Sequence, residues 1–158
     1  MFGPGGVLFL LSWEGMALSA FFLVTTDDQD PEAREAGWVY FVATHVGTLA
    51  LFGFFAATRA LTGSFGFDPI PEGAAAAGPA ACVFFLGLVA FGLKAGLMPL
   101  HVWLPGAHAA APSHVSAVLS GVVLKTGIYG LARVTWMLPH PPAFWGAVLL
   151  GLGIVSGV

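Results

Sequence analysis

Long apolar runs with almost no charge limit what this chain can fold into. Four runs each hold about 20 mostly apolar residues, the length that an α-helix needs to cross the hydrocarbon core of a bilayer. They cover residues 5–24, 38–58, 74–98 and 113–137. A fifth run, 143–158, is shorter than a full span. We therefore predict an all-α, polytopic bundle of transmembrane helices.

The composition excludes the main soluble classes. Only 8% of the 158 residues are charged, whereas a soluble domain averages about 25%, so a water-soluble fold would lack a polar surface. Five basic residues and a net charge of −3 offer no phosphate-binding surface, so we expect no nucleic-acid partner. The single cysteine, Cys82, excludes an intrachain disulfide framework and a CxxC site.

The stretches between the runs are polar or rich in turn-forming residues. The acidic stretch TTDDQDPEAREAG (25–37) is expected to be solvated, and TGSFGFDPIPEG (62–73) to be a loop. Basic residues at the span ends are too few to set the orientation by the positive-inside rule. The abrupt apolar start and the short last run suggest that residues 1–158 form one transmembrane region of a larger polytopic protein.

Ionisable residues are predicted deep in the membrane. Glu14 lies about nine residues from each end of its run, roughly 14 Å at the rise of a helix, and Lys125 lies about twelve residues from each end of its own. One charge at the bilayer centre costs about 2.5–3.5 kcal/mol, so such residues usually mark an ion path. Lys94 adds a second lysine, which unlike arginine can release its proton when buried. The alternative is that Glu14 and Lys94 form a buried structural ion pair.

Lys94 directly precedes a predicted helix break. The segment KAGLMPLHVWLPGAHAAAPS (94–113) contains three prolines and two glycines, and Pro99 removes a backbone hydrogen bond from the helix. We predict that the third span breaks near Lys94–Pro99 and continues as a half-helix over 100–110. The negative end of the helix dipole beside Lys94 favours a cation, and broken helices of this kind mark ion paths in transporters. An ordinary proline kink is the alternative.

The histidines allow two interpretations. His114 and Lys125 are 11 residues apart, so on a regular α-helix they share one face, about 16 Å apart, and could form a proton wire with water; otherwise His114 only caps its helix. His45, mid-span beside two threonines, is either a packing residue or part of the same relay. His101 and His108 share a face but are a weak zinc signal, so no metal is expected.

Three segments resemble a known family. SWEGMALSAFFLV (12–24), KAGLMPLHVWLPGAHAAAPSHVSAVLSG (94–121) and VVLKTGIYGL (122–131) are similar to the antiporter-like membrane subunits. That family is shared by respiratory complex I, multi-subunit sodium/proton antiporters and energy-conserving hydrogenases. The sequence of the long central motif is most similar to that of the hydrogenase-4 and formate hydrogenlyase branch.

The resemblance implies roles for single residues. Glu14 matches the glutamate that tunes a lysine, Lys94 matches the proton-holding lysine at the broken helix, and Lys125 matches the next relay station. His45 resembles a histidine in the preceding helix of some members. The family also carries a second broken helix that is absent here, so this chain alone is not expected to conduct protons.

The resemblance also implies a cellular context. It implies a proton-translocating subunit of a redox-driven complex in the inner or plasma membrane of a prokaryotic cell, in contact with lipid and with other membrane and peripheral subunits. No cofactor is expected in this chain, because it lacks a cysteine set and a dinucleotide loop. The alternatives are a sodium/proton antiporter subunit and a structural membrane-arm subunit without an ion path.

Overall fold

A computed structural model describes residues 4–72 and 77–157. Most of the described residues are helical and none of them is in a β-strand, which confirms the predicted all-α bundle. The helices are α1 Pro4–Val24, α2 Pro31–Thr62, α3 Ala77–Ala95, α4 Leu104–Ala110, α5 Ser113–Val118, α6 Leu124–Met137 and α7 Ala143–Ser156, with a π-helical turn at Leu119–Val123. Four segments are long and apolar enough to cross a membrane: α1, α2, α3, and the continuous run from α5 through the π-helical turn to α6.

Helix α2 is longer than the apolar run from which it was predicted. It begins inside the acidic stretch, where the side chain of Asp30 caps the helix by accepting a hydrogen bond from the backbone N–H of Glu32 at 3.0 Å. Pro31 occupies the first turn, where a missing N–H costs nothing. The helix ends at Gly63, whose φ of 76° is the left-handed conformation typical of a helix C-terminus. Local capping, rather than hydropathy, therefore sets both ends.

Helix α3 breaks where the sequence predicts. It ends at Ala95, and Gly96 takes a φ of 68°, which a side chain would strain. The chain then turns through residues 97–103 and resumes as α4, so the second half-helix is shorter than the predicted 100–110. The start of the predicted third span, residues 74–76, lies outside the described residues.

Hydrogen bonds from several elements satisfy backbone groups at this break. The indole Nε1 of Trp103 donates to the carbonyl oxygen of Leu93 at 2.7 Å. The backbone N–H of Leu97 donates to the carbonyl oxygen of Gly92 at 3.0 Å, and that of Met98 donates to Oγ of Ser156 at 2.9 Å. A helix can be interrupted at membrane depth only if protein or water satisfies its freed backbone groups. Here the protein supplies these partners.

Helix α3 is packed closely by α6. A Cβ atom added at Gly127 would collide with the backbone nitrogen of Ala95, and one added at Gly130 would collide with the ring of Phe91. Small residues at such positions let helix backbones approach each other in membranes. The end of α3, which carries Lys94, is thus held directly against α6.

Candidate functional site

Lys94 is buried in the last turn of α3, just before the break, with 3% of its surface exposed. Its Nζ lies 3.5 Å from the hydroxyl oxygen of Tyr40, at the limit of a hydrogen bond. The same nitrogen lies 5.3 Å from the ring centroid of Trp13 and 5.7 Å from that of Tyr40. A phenol oxygen and two aromatic faces therefore surround the ammonium group.

These neighbours can hold a positive charge without a direct ion pair. A cation over an aromatic face is stabilised by about 2 kcal/mol when both are desolvated. The carbonyl end of α3 adds a partial negative charge beside Lys94. Both Trp13 and Tyr40 are buried, so little water competes with these interactions. The site can stabilise an ammonium group, yet it leaves that group next to a side chain, Tyr40, that can exchange hydrogen bonds.

Glu14 on α1 is bound by two residues of α2. Its Oε1 lies 3.0 Å from Nε2 of His45, and its Oε2 accepts a hydrogen bond from Oγ1 of Thr48 at 3.0 Å. His45 and Thr48 are three residues apart, so they project from the same face of α2 towards α1. The Glu14 side chain is 30% exposed and that of His45 is 37% exposed.

The alternative of a direct ion pair between Glu14 and Lys94 is wrong. Within residues 4–72 and 77–157 the two side chains do not approach within 4 Å, and both carboxylate oxygens of Glu14 have partners on α2. The pairing was mispredicted because a helix pattern shows which residues share a face of one helix, and not which neighbouring helix that face contacts.

A cavity of about 590 Å³ opens beside Glu14, between α1 and α2. Glu14, His45 and Thr48 are its polar wall, and the rest of its lining is apolar. The apolar lining comprises Val7, Leu10, Leu11, Leu49, Phe52, Phe55 and Phe65. The two ionisable side chains are therefore accessible from one side and enclosed by α1 and α2 on the other.

Neither Lys125 nor His114 is among the residues described above as neighbours of Lys94 or Glu14. Both are exposed, and neither makes a hydrogen bond or an ion pair with any residue in the described part of the chain. The predicted shared face assumed a regular α-helix from 113 to 137, but the π-helical turn at Leu119–Val123 separates the two residues. A π-helical turn closes its hydrogen bonds over one more residue than an α-helix, so the angular spacing used for the prediction does not hold.

His101 and His108, the two histidines of the segment after the helix break, have different surroundings. His108 contacts two hydroxyl groups of the fourth span: its Nδ1 lies 2.5 Å from Oγ of Ser116, and its Nε2 lies 3.4 Å from Oγ of Ser120. Nδ1 of His101 is buried without a hydrogen-bond partner among the described residues. Over the described ranges, no three His, Cys, Asp or Glu side chains come together as metal ligands would.

The site contains three aromatic residues that were not predicted from the sequence, Trp13, Tyr40 and Trp103. Trp103 packs edge-on against Tyr40, with ring centroids 5.1 Å apart, and this contact fixes the phenol beside Lys94. One signal was available: Tyr40, Thr44 and Thr48 follow each other at intervals of four residues and so form a polar line along α2.

Comparison with known proteins identifies similar chains. The family model described as NADH:quinone oxidoreductase/Mrp antiporter, TM, matches residues 6–158. Hydrogenase-4 component B of Escherichia coli (strain K12) is 39% identical over 153 residues, which are 95% of this chain and 23% of that protein. Formate hydrogenlyase subunit 3 of the same organism is 40% identical over 74 residues, 47% of this chain and 12% of that protein.

A quinone oxidoreductase subunit is also similar. NAD(P)H-quinone oxidoreductase chain 4 2 of Thermosynechococcus vestitus is 50% identical over 70 residues, which are 44% of this chain and 13% of that protein. The chain therefore spans less than a quarter of the length of these relatives. These relatives are hydrogenase and quinone oxidoreductase proteins, and the description of the family model also names the Mrp antiporter, so all three classes of the sequence resemblance are represented.

Proposed function

The chain belongs to the NADH:quinone oxidoreductase/Mrp antiporter transmembrane family, and we propose that it is part of a proton-translocating subunit of a redox-driven membrane complex. It is an integral, multi-pass membrane protein with four helices suited to spanning a bilayer. The proposed partners are lipid, protons and the other membrane and peripheral subunits of a complex of the NADH:quinone oxidoreductase or membrane hydrogenase type, in the plasma membrane of a prokaryotic cell.

The observation that carries the proposal is the position of Lys94. A titratable amine is 3% exposed at the end of a broken helix, in a segment apolar enough to span a membrane. A chain built only as an anchor gains nothing from this arrangement, because burial of a charge is costly. The burial is explained if Lys94 alternates between its charged and neutral forms during proton transfer.

In this proposal, Glu14 determines whether Lys94 keeps its proton: an ionised Glu14 favours the ammonium form of Lys94, and neutralising Glu14 removes that effect. A redox event in a partner subunit that changes the protonation or position of Glu14 would then change whether Lys94 keeps its proton. His45, in direct contact with Glu14, takes part in the same step.

Lys125 and His114 are proposed to continue the proton path outside the Lys94 site. Both are exposed on the described surface of the chain, so they are available to further helices or subunits that pack against the fourth span. Water between such a neighbour and the fourth span would connect them. The path from Lys94 to the surface is thus proposed to be shared between this chain and its neighbours.

The decisive experiment substitutes Lys94 by methionine in the complete complex. Electron transfer should continue while proton pumping into inverted membrane vesicles is lost, because methionine fills a similar volume but cannot carry a proton. Arg34→Met is the matched control: it removes an exposed cation outside the apolar part of α2, and pumping should be unchanged. Normal pumping by Lys94→Met would contradict the proposal.

Two further measurements separate the alternatives. A sodium/proton antiporter would respond to an imposed sodium gradient, so transport is measured with and without sodium. A purely structural subunit would tolerate the double substitution Glu14→Leu with Lys94→Met and would support pumping as before. Loss of pumping in an assembled complex excludes the structural role.

A further inference from the structure

We propose that Glu14 and His45 share one proton between Oε1 and Nε2, in addition to the hydrogen on Nδ1 of His45. The result is a hydrogen-bonded pair without net charge. The pair, rather than Glu14 alone, is then the unit that gains or loses a proton beside Lys94. The proton content of the pair follows from its geometry and does not depend on the proposed function. Its part in proton transport does rest on that function.

The first step concerns Nδ1 of His45. This nitrogen lies 2.8 Å from the backbone carbonyl oxygen of Phe41, one helical turn earlier. A carbonyl oxygen only accepts hydrogen bonds, so Nδ1 must carry a hydrogen. Rotating the ring by 180° would place carbon atoms against both oxygen partners, so the observed contacts fix the ring orientation. The ring of Phe41, 4.0 Å away between centroids, packs against the imidazole and further restricts it.

The second step concerns Nε2, which lies 3.0 Å from Oε1 of Glu14. If the imidazole carried hydrogen only on Nδ1 and Glu14 were ionised, two lone pairs would face each other at hydrogen-bond distance. One more proton between the two atoms removes this repulsion. The pair is then either an imidazolium with a carboxylate or an imidazole with a carboxylic acid. Both forms contain the same number of protons, and both are neutral overall.

The surroundings favour a neutral pair that can still exchange its proton. Thr48 donates a hydrogen bond to the second carboxylate oxygen, and the rest of the adjoining cavity is apolar, which penalises an isolated charge. About a third of each side chain is exposed, and both line the cavity, so neither group is sealed inside the bundle. The ionisable neighbour on α3 is Lys94, whose Nζ lies 5.3 Å from the ring centroid of Trp13, the residue before Glu14. Tyr40 on α2 lies beside that Nζ.

A shared proton changes how the pair acts on Lys94. While the proton is present, Lys94 has the Tyr40 hydroxyl and the rings of Trp13 and Tyr40 as neighbours, and the pair has no net charge. Loss of the proton leaves one negative charge on the pair. The proton of the pair and the charge of Lys94 are therefore coupled, and the coupling acts equally in both directions.

The test is nitrogen-15 NMR of histidine in the complete membrane protein in lipid nanodiscs at pH 7. The chain has five histidines, and the signals of His45 are identified by their loss in His45→Gln. The expected spectrum shows Nδ1 of His45 bonded to hydrogen and Nε2 sharing a hydrogen with Glu14. A bare Nδ1, or a bare Nε2 opposite an ionised Glu14, would overturn the assignment in the unsubstituted protein.

The variant Glu14→Gln tests the sharing directly. A glutamine can donate its amide hydrogen to Nε2, so this nitrogen should shift to the position of an unprotonated acceptor and the pair should lose one proton. Glu72→Gln is the matched control, because Glu72 forms an exposed contact of 3.3 Å with His140; the His45 signals should not move. If Nε2 carries the hydrogen in the unsubstituted protein, an Nε2 signal unchanged by Glu14→Gln would refute the sharing. If Nε2 is bare there, a carboxylate signal instead of a carboxylic-acid signal from Glu14 would refute it.

The two proposals can fail separately. If the His45 spectrum is as expected but Lys94→Met still pumps protons, the shared proton stands and the transport function is wrong. If Lys94→Met abolishes pumping but Nδ1 is bare, the transport function stands and the pair does not hold the proton.

Discussion

Replacing Gly127 by alanine tests whether the close approach of α6 to the end of α3 is as tight as described. A Cβ at this position would lie 2.7 Å from the carbonyl oxygen of Phe91 and closer still to the backbone nitrogen of Ala95. Ordinary contact begins at 3.4 Å, so the added carbon is about 0.7 Å too close to the oxygen alone. Both atoms belong to the backbone, so they cannot rotate away.

The expected cost of Gly127→Ala can be bounded. Overpacking a close-packed site costs about 1–3 kcal/mol, and the higher helix propensity of alanine returns at most about 1 kcal/mol. With the full offset, we therefore expect a net destabilisation of up to about 2 kcal/mol. The free energy of unfolding is measured in mixed micelles by titration with a denaturing detergent, and the proton-pumping rate is measured in parallel because the displaced helix end carries Lys94.

Gly121→Ala is the matched control for this experiment. Gly121 lies on the same span, and nothing comes within 4 Å of a Cβ added there. Its substitution should leave the free energy of unfolding unchanged or raise it slightly. If Gly127→Ala is as stable as Gly121→Ala, the contact between α6 and the end of α3 is looser than described and the reasoning from this contact is refuted.

Two further substitutions test the neighbours of Lys94. Tyr40→Phe keeps both aromatic faces but removes the hydroxyl group beside Nζ, so the complex should assemble normally while its pumping rate falls; an unchanged rate would show that the hydroxyl group is not used. Trp103→Phe removes the hydrogen bond to the carbonyl oxygen of Leu93 and should destabilise the fold by about 1 kcal/mol. Faster amide hydrogen exchange in residues 96–103 would report the loosened break, and unaltered exchange would contradict that role.

The sequence was sufficient for the parts of the structure that follow from composition and local backbone chemistry. The apolar runs predict the spanning helices, and Gly96 with Pro99 predicts the break after Lys94. The start of α2 was missed although its signal is local: Asp30 followed by Pro31 and Glu32 is a typical helix start. Hydropathy alone placed that boundary too late, because polar residues in a first turn interrupt an apolar run without interrupting the helix.

The partners across helices were beyond the reach of pattern analysis. The pairing of Glu14 with His45 depends on how α1 is rotated against α2, and no periodicity within either helix reports that rotation. Trp13 and Tyr40 resemble ordinary core residues until the position of Lys94 is known. The π-helical turn between His114 and Lys125 was not predicted, and the regular α-helical spacing from which their common face was inferred does not apply across it.

Ser156 gives α7 a direct mechanical link to the interrupted helix. The ring of Trp145 stacks on that of Phe84, with centroids 4.6 Å apart, and Oγ of Ser156 accepts the hydrogen bond from the backbone N–H of Met98. These two contacts make α7 run beside α3 in the same direction and fasten it at the break. Sliding α7 along its axis by one turn would deprive Met98 of its acceptor. The axial position of α7 and the shape of the turn after Lys94 therefore depend on each other through this hydrogen bond.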